Sequence, residues 1–488
     1  MSDPARAHAN PGVVAAVDLG ATSGRVMLGY VADGMLRLDA VARFPNGPVE
    51  FPDGSRHWDF SSLYGHVVAG LAEAVRREPH LASVGIDSWA VDYGLVSHAA
   101  LLVEPFHYRD DRSGRGVAHV HALTPFAELY HRNGLQFLPF NTLYQYAVDR
   151  RLPDADAALL IPDLVAFLLT GVRVAERTNA STTGLLDVRT GRWDTELVER
   201  LGLPESVLPD LVDPGTSLGR LEGAARERVG SPLEVIAVGS HDTASAVVAV
   251  PMADASTAAY ISCGTWGLVG VELDAPVVTD AAREANFTNE GGVDGRIRFL
   301  HNVTGLWLLN ESVRAWEAED GAPIDLPSLL VEAAADTGDV PLFDANDPSL
   351  SVPGDTPARI VAVLQTAGAA LPHSRPSFVR MIVESIAQAF ADGVATAARL
   401  TGRDIRVIHL VGGGALNTVL CQATADRSGL AVLAGPVEAT AIGNILVQAR
   451  AHGWCGPHSS LEDLRDIVAR SFPPTRYAPT SHRDDRTA

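Results

Sequence analysis

The feature that most constrains the fold is a device used twice, once in each half of the chain. Residues 13–17 form a short apolar run that ends in Asp18-Leu19-Gly20-Ala21-Thr22-Ser23-Gly24-Arg25, after which residues 26–30 resume β character. Far downstream, residues 258–262 enter a similar turn, Cys263-Gly264-Thr265-Trp266-Gly267, and residues 268–271 leave it. Apolar strands flanking a short turn of small residues predict a hairpin in each place. A turn of Gly, Ser and Thr aims several N–H groups and hydroxyls at one point, which suits a polyphosphate; dinucleotide loops instead run from strand into helix. Taken singly, each turn also reads as an ordinary hairpin that carries Gly for steric reasons.

A third glycine turn leads into a helix instead of a second strand. A buried strand over residues 407–411 runs into Gly412-Gly413-Gly414-Ala415-Leu416-Asn417, and a helical pattern begins at Thr418. Backbone without side chains lets a flat ligand such as a base and its ribose lie against the chain, or lets a helix pack closely on a strand. Between these turns, Gly239-Ser240-His241-Asp242-Thr243-Ala244-Ser245 presents one carboxylate where an Ala- and Val-rich helix starts. Asp242 in that place is either an N-cap, accepting backbone N–H bonds at the positive end of the helix dipole, or a base.

Composition narrows the chemistry. All 38 residues counted as Lys plus Arg are Arg. A P-loop Lys, a protein-kinase strand Lys and a Schiff-base Lys are therefore excluded. Nucleotide phosphates have to be handled by backbone N–H groups, hydroxyls, Arg and a metal. The net charge of −21 argues against nucleic acid or an anionic membrane as partner. Three dispersed cysteines, Cys263, Cys421 and Cys455, form no C-x-x-C pair and no Cys/His cluster, so a reducing, cytoplasmic setting is expected without disulfides or zinc. No apolar run reaches the roughly 18 residues of a spanning helix, and the polar start up to Pro11 carries no export signal.

Two further segments suit a polyol pocket. Gly85-Ile86-Asp87-Ser88-Trp89-Ala90-Val91-Asp92-Tyr93 is a strand crowned by carboxylates and rings, and Asn302-Val303-Thr304-Gly305-Leu306-Trp307 opens a helix beside the same cleft. Carboxylate, amide and ring face together hold sugars. The other reading makes Trp89 and Trp307 core aromatics, Trp307 more so than Trp89. Residues 470–488, rich in Pro and charge, predict a frayed tail.

The turn at residues 18–25, the block at 85–93, Tyr108-Arg109-Asp110, Asn141-Thr142-Leu143-Tyr144-Gln145, residues 239–243, Gly264-Thr265-Trp266, residues 302–309, 412–417 and 436–444 occur in the order found in the FGGY carbohydrate kinases. The chain resembles that family from about residue 13 to 452. The Ala-Thr-Ser-Gly-Arg turn and the Asn-Thr-Leu-Tyr-Gln string are similar to its rhamnulokinase branch. The resemblance implies an α/β fold of two actin-like, ribonuclease-H-like domains with a cleft between them: residues 8–243 for sugar and phosphate, 244–470 for nucleotide, and 471–488 as a flexible tail. It implies ATP-dependent phosphorylation of the 1-hydroxyl of L-rhamnulose, with Mg²⁺ as cofactor, in a monomer or homodimer whose partners are small molecules.

Carried over residue by residue, the resemblance makes Asp242 the proton acceptor, with His241 and Thr243 lining the sugar site beside Ala90 and Asn302. Ala21, Thr22, Ser23, Gly24 and Arg25 would hold the ATP phosphates, and Thr265 would contact them from the second domain. Asn310 and Gly413 would meet the nucleotide, and Asp18 the metal. Ala90 stands where the family usually has Gly, and Ala415-Leu416 where Cys-Gln is typical. Other readings are a sugar-sensing regulator of the same class, disfavoured by the retained Asp242 and the lack of a basic helix-turn-helix segment, a nucleotide hydrolase of the same fold, or a kinase for L-fuculose or xylulose.

Overall fold

Residues 12–336, 338–351, 354–456 and 458–480 are described by the structure, a computed structural model. Residues 13–17 are small or β-branched and almost entirely buried, because their strand is covered on both faces. This strand, β1 (Gly12–Leu19), pairs antiparallel with β2 (Ser23–Ala32), which pairs with β3 (Met35–Pro45). On its other side β1 runs parallel to β4 (Ser83–Ser88). With β5 (Ser217–Arg220) and β6 (Glu234–Ile236) the first sheet has the order β5-β6-β4-β1-β2-β3.

The second half repeats the plan. β7 (Ala258–Cys263) and β8 (Gly267–Leu273) form the second anticipated hairpin, and β9 (Thr288–Gly291) and β10 (Ile297–Val303) extend it. β7 runs parallel to β11 (Val407–Val411), which is followed by β12 (Ala431–Ala434) and β13 (Thr475–Tyr477), giving β9-β10-β8-β7-β11-β12-β13. Each half thus places an antiparallel hairpin beside a parallel crossover pair. Each glycine turn leaves the end of a strand that belongs to its own sheet's parallel pair, β1 beside β4 and β7 beside β11.

The halves are joined by helices rather than by a simple linker. α1 (Phe60–Arg77) packs on the first sheet. α2 (Asp242–Val248) carries the carboxylate segment, and α3 (Ala439–Ala451), late in the chain, packs on both α2 and the first sheet. Gln448 of α3 donates to the Ala15 carbonyl at 2.9 Å, and Asn444 donates to Asp87 at 2.6 Å. A Cβ on Gly443 would overlap the Ser245 carbonyl oxygen, so the two helices approach as only glycine allows. Gly443→Val is expected to destabilise the protein by about 3 kcal/mol, the upper end of over-packing costs, as read from urea unfolding.

Two boundary expectations change. A division after residue 243 would cut α2, which runs from Asp242 to Val248. The expected frayed tail is ordered in part: α4 (Leu461–Ser471) precedes β13, which pairs with β12, and Thr480 N–H donates to Asp426 at 2.7 Å. The free edge of β12 offers unpaired N–H and C=O groups, which the returning chain satisfies. Residues 481–488 and 1–11 lie outside the described residues. No helix among the described residues is long and apolar enough to cross a membrane.

Candidate active site

The loop that delivers Asp242 is clamped from behind. The buried Glu176 carboxylate accepts from Ser240 N–H at 3.0 Å and from the Ser240 hydroxyl at 2.8 Å, and Ser88 N–H donates to the Ser240 carbonyl at 2.9 Å. Asp242 is the first residue of α2, not its cap. The cap position is held by His241, whose side chain makes no capping bond. The capping alternative therefore falls away: the Asp242 carboxylate accepts from the Thr243 hydroxyl at 3.0 Å, approaches His241 Nε2 at 3.4 Å, and keeps 32 % of its side chain exposed. Behind His241, the buried Arg298 donates to Nδ1 at 3.0 Å and Glu290 lies 3.3 Å from the same nitrogen. Burial opposes the Glu290 charge, but Arg298 and His241 outweigh it and hold its carboxyl below the ordinary range.

Asp242 opens onto a cavity of about 470 Å³ between the two halves. Of the residues anticipated for a site, Asp18, Ala21, Thr22, Ser23, Arg25, Ala90, His241, Asp242, Thr243, Thr265, Asn302 and Gly413 all line it. Both hairpin turns form walls. The first is closed by Gly20 N–H to the Ser23 carbonyl at 2.9 Å and braced by the Asn46 amide on the Gly20 carbonyl at 2.8 Å. The second is closed by Gly264 N–H to the Trp266 carbonyl at 2.8 Å.

Gly24 and Asn310 stand outside the cavity lining. Gly24 does not line the cavity; a Cβ there would overlap the Phe44 ring on β3, so its glycine serves packing within the sheet. Asn310 is exposed, one turn into α5 (Trp307–Asp320), and off the cavity wall. Of the glycine triad, Gly412 has φ +86° and sits where a Cβ would press on the Cys263 carbonyl, and Gly414 packs against the Cys263 side chain. Gly413 alone has open space at its Cβ position.

Burial pushes the Asp18 carboxyl up, against the pull of Arg25, which donates to it at 2.8 Å and also pairs with Glu438. Its partner across β1 and β4, Asp87, is fully buried and raised well above the ordinary value, by burial first and then by Asp18. One Asp87 oxygen has no partner. Asp87 therefore belongs beneath the cavity floor rather than in the polyol pocket. Among the described residues, no three His, Cys, Asp or Glu side chains come together to chelate a metal. A pair of buried carboxylates with an unsatisfied oxygen, Asp18 facing the cavity, nevertheless fits Mg²⁺ held largely by water and phosphate oxygens.

At the other end, the wall is apolar and aromatic. Trp89, Tyr108, Leu135, Leu138 and Phe140 line it, and Trp307 is a core residue as expected. The buried Asp92 accepts from Trp58 Nε1 at 2.7 Å and from Trp89 Nε1, Tyr108 N–H and Gln145 Nε2 at 3.1 Å each. Val91, next to it, has φ +68°, a strained value for a β-branched residue. The Val91 carbonyl is gripped by the Thr142 hydroxyl at 2.7 Å. Gln136 was not singled out by sequence reasoning, since no local pattern marks it; it lines the cavity and accepts from the Asn302 amide at 2.8 Å. Glu290 was missed as a wall residue for the same reason, while Glu438 stands in the 436–444 block without having been given a role of its own.

Burial raises the Asp92 carboxyl to about 6, partly offset by the Trp58, Gln145 and Trp89 donors. A carboxyl raised on folding favours the folded state below its unfolded pKa, and that contribution is lost as pH rises through about 6. Wild-type stability relative to Asp92→Asn is expected to fall by on the order of 2–3 kcal/mol between pH 4 and pH 7 in denaturant titrations. A flat difference would mean that the carboxyl is not perturbed.

The chain matches the family model described as the FGGY family of carbohydrate kinases, N-terminal domain, over residues 13–249, and its C-terminal domain model over residues 259–452. A rhamnulokinase of Bacteroides thetaiotaomicron is 39% identical over 471 residues, covering 95% of both chains. One from Klebsiella pneumoniae is 39% identical over 472 residues, covering 95% of this chain and 94% of its own. Among solved structures, a ligand-bound xylulose kinase from Lactobacillus acidophilus superposes with TM-score 0.76 at 17% identity, covering 96% of this chain and 94% of that one. A Plasmodium falciparum glycerol kinase with ADP does so with TM-score 0.76 at 14% identity and the same coverage. These two likenesses concern the fold alone.

Proposed function

Because the chain belongs to the FGGY family of carbohydrate kinases, enzymes that move a phosphoryl group from ATP to a sugar hydroxyl, we propose that it phosphorylates the 1-hydroxyl of L-rhamnulose. The observation that carries this reading is the Asp242 carboxylate, uncommitted to capping and set in a cavity walled by both hairpin turns. A sugar hydroxyl is a weak nucleophile at neutral pH. Asp242 accepts its proton as the oxygen attacks the γ-phosphorus; the new O–P bond forms as the bond to the β–γ bridging oxygen breaks, and ADP departs.

The walls divide the remaining work. Ala21, Thr22 and Ser23 offer N–H groups and hydroxyls to the phosphates from the first half, and Thr265 does so from the second. Gly413 leaves room for the adenosine. Asp18, backed by Asp87, would hold Mg²⁺ through water, and the ion would supply neutralisation of phosphate charge. His241 and Thr243 flank the base, while Ala90, Asn302 and Gln136 meet the sugar beside the apolar wall that suits a 6-deoxy methyl. Hinge motion between the halves would exclude water once sugar fills the cleft. The setting is cytoplasmic, consistent with the free Cys263, Cys421 and Cys455, and the active species is a monomer or homodimer.

A coupled ADP-release assay over L-rhamnulose, L-fuculose, L-xylulose and D-xylulose tests the substrate. L-rhamnulose is expected to have the highest kcat/KM, and Ala90→Gly, which removes a methyl from the pocket wall, should shift discrimination among the ketoses by roughly 1–3 kcal/mol. A tenfold preference for another ketose would assign the protein to a different branch.

A further inference from the structure

Four charged residues stand in one row across the first sheet. The register pairs Asp87 on β4 with Asp18 on β1, Asp18 with Arg25 on β2, and Arg25 with Arg43 on β3. Directly opposed residues project from the same face of a sheet, and Asp18, Arg25 and Arg43 all reach the cavity wall. Exposure rises along the row: the two carboxylates are buried, Arg25 is half-buried and Arg43 is exposed.

The inner side chains are engaged by other residues and the outer one is not. Asn444 binds Asp87, and Arg25 is shared between Asp18 and Glu438. Arg43 makes no ion pair with any described residue. Among the described residues, Arg25 and Arg43 are the two guanidinium groups lining the cavity, and the chain contains no Lys. A guanidinium already divided between two carboxylates offers little net field to an anion, whereas an unpaired fork can take two phosphate oxygens at once.

We propose that Arg43 is a catalytic residue of this kinase, binding the terminal phosphate oxygens of ATP from the outer side of the first hairpin turn, while Arg25 holds the turn to Asp18 and Glu438. The inference rests on the reading of that turn as the phosphate site. As the β–γ bond breaks, negative charge grows on the bridging oxygen next to the terminal phosphate, and a cation held there lowers the barrier as well as the dissociation constant.

Calorimetric binding of the imido analogue of ATP and of AMP, both with Mg²⁺, tests this on the wild type, Arg43→Gln, Arg43→Lys and Gly413→Val, alongside steady-state kinetics. Arg43→Gln, at an exposed position, is expected to fold normally, bind the analogue at least tenfold more weakly and bind AMP within twofold of wild type. Its kcat should fall and its KM for ATP rise, with the KM for sugar unchanged; Arg43→Lys should recover part of the loss. If Arg43→Gln binds and turns over like the wild type while Gly413→Val loses both nucleotides, the role of Arg43 is overturned and the nucleotide site stands. Equal weakening of analogue and AMP also overturns it, since the side chain would then act on the shape of the site. A wild type that binds neither nucleotide overturns the proposal together with the reading beneath it.

Discussion

Asp242→Asn is expected to lower kcat by roughly 10²–10⁴-fold while leaving nucleotide affinity within about twofold. The substitution keeps the size and hydrogen-bonding shape of the side chain and removes its negative charge together with its capacity to take a proton. Because the carboxylate does not cap α2, the change leaves the helix start intact, and its contact with the Thr243 hydroxyl can be replaced by the amide oxygen. A large loss of thermal stability is therefore not expected, and the comparison of Tm with kcat separates a chemical role from a structural one. Near-wild-type turnover in the Asn variant would remove Asp242 from the mechanism.

The second large effect is expected at Gly413. Apart from its own turn and chain neighbours, no protein atom lies within 4 Å of the position its Cβ would take, so a valine there meets no obstacle from the rest of the fold, at a position that lines the cavity. The KM for ATP should rise at least tenfold, corresponding to about 1.4 kcal/mol of lost binding, with the KM for sugar and the unfolding midpoint unchanged. Its neighbours give the contrast. Gly412→Val combines a positive φ with a clash on the Cys263 carbonyl and is expected to destabilise the protein itself. A Gly413→Val enzyme with unaltered KM for ATP would place the adenosine elsewhere.

Arg25 and Gly24, adjacent in the first turn, show where local reading stops. Both stand in a segment whose composition marks it as a polar turn between strands, and the turn is there. What each does depends on residues remote in the chain: Gly24 makes room for the Phe44 ring of the next strand, and Arg25 pairs with Glu438, 413 positions away. Asp87, in a block that read as a polyol pocket, is drawn beneath the cavity by Asn444 of α3. Asn310 lies off the cavity lining for a related reason. Its helix was legible, but the face that the helix turns to the cleft is set by packing against the rest of the second half.

The amino-acid sequence by itself determined the two glycine hairpins, the glycine triad after β11, the placement of Asp242 at a helix start and the absence of any lysine chemistry. Each of these depends on backbone conformations and side-chain types within a few residues, where sterics and hydrogen bonding act over one turn or one strand. The tertiary structure alone decided that α3 covers the first sheet from the far end of the chain. It also decided that Gln136 and Glu290 stand in the cavity wall and that Asp18 and Asp87 share a buried floor. Those outcomes arise from which buried surfaces fit one another and from charges brought together in a low-dielectric interior, and neither quantity is a property of any stretch of sequence read alone.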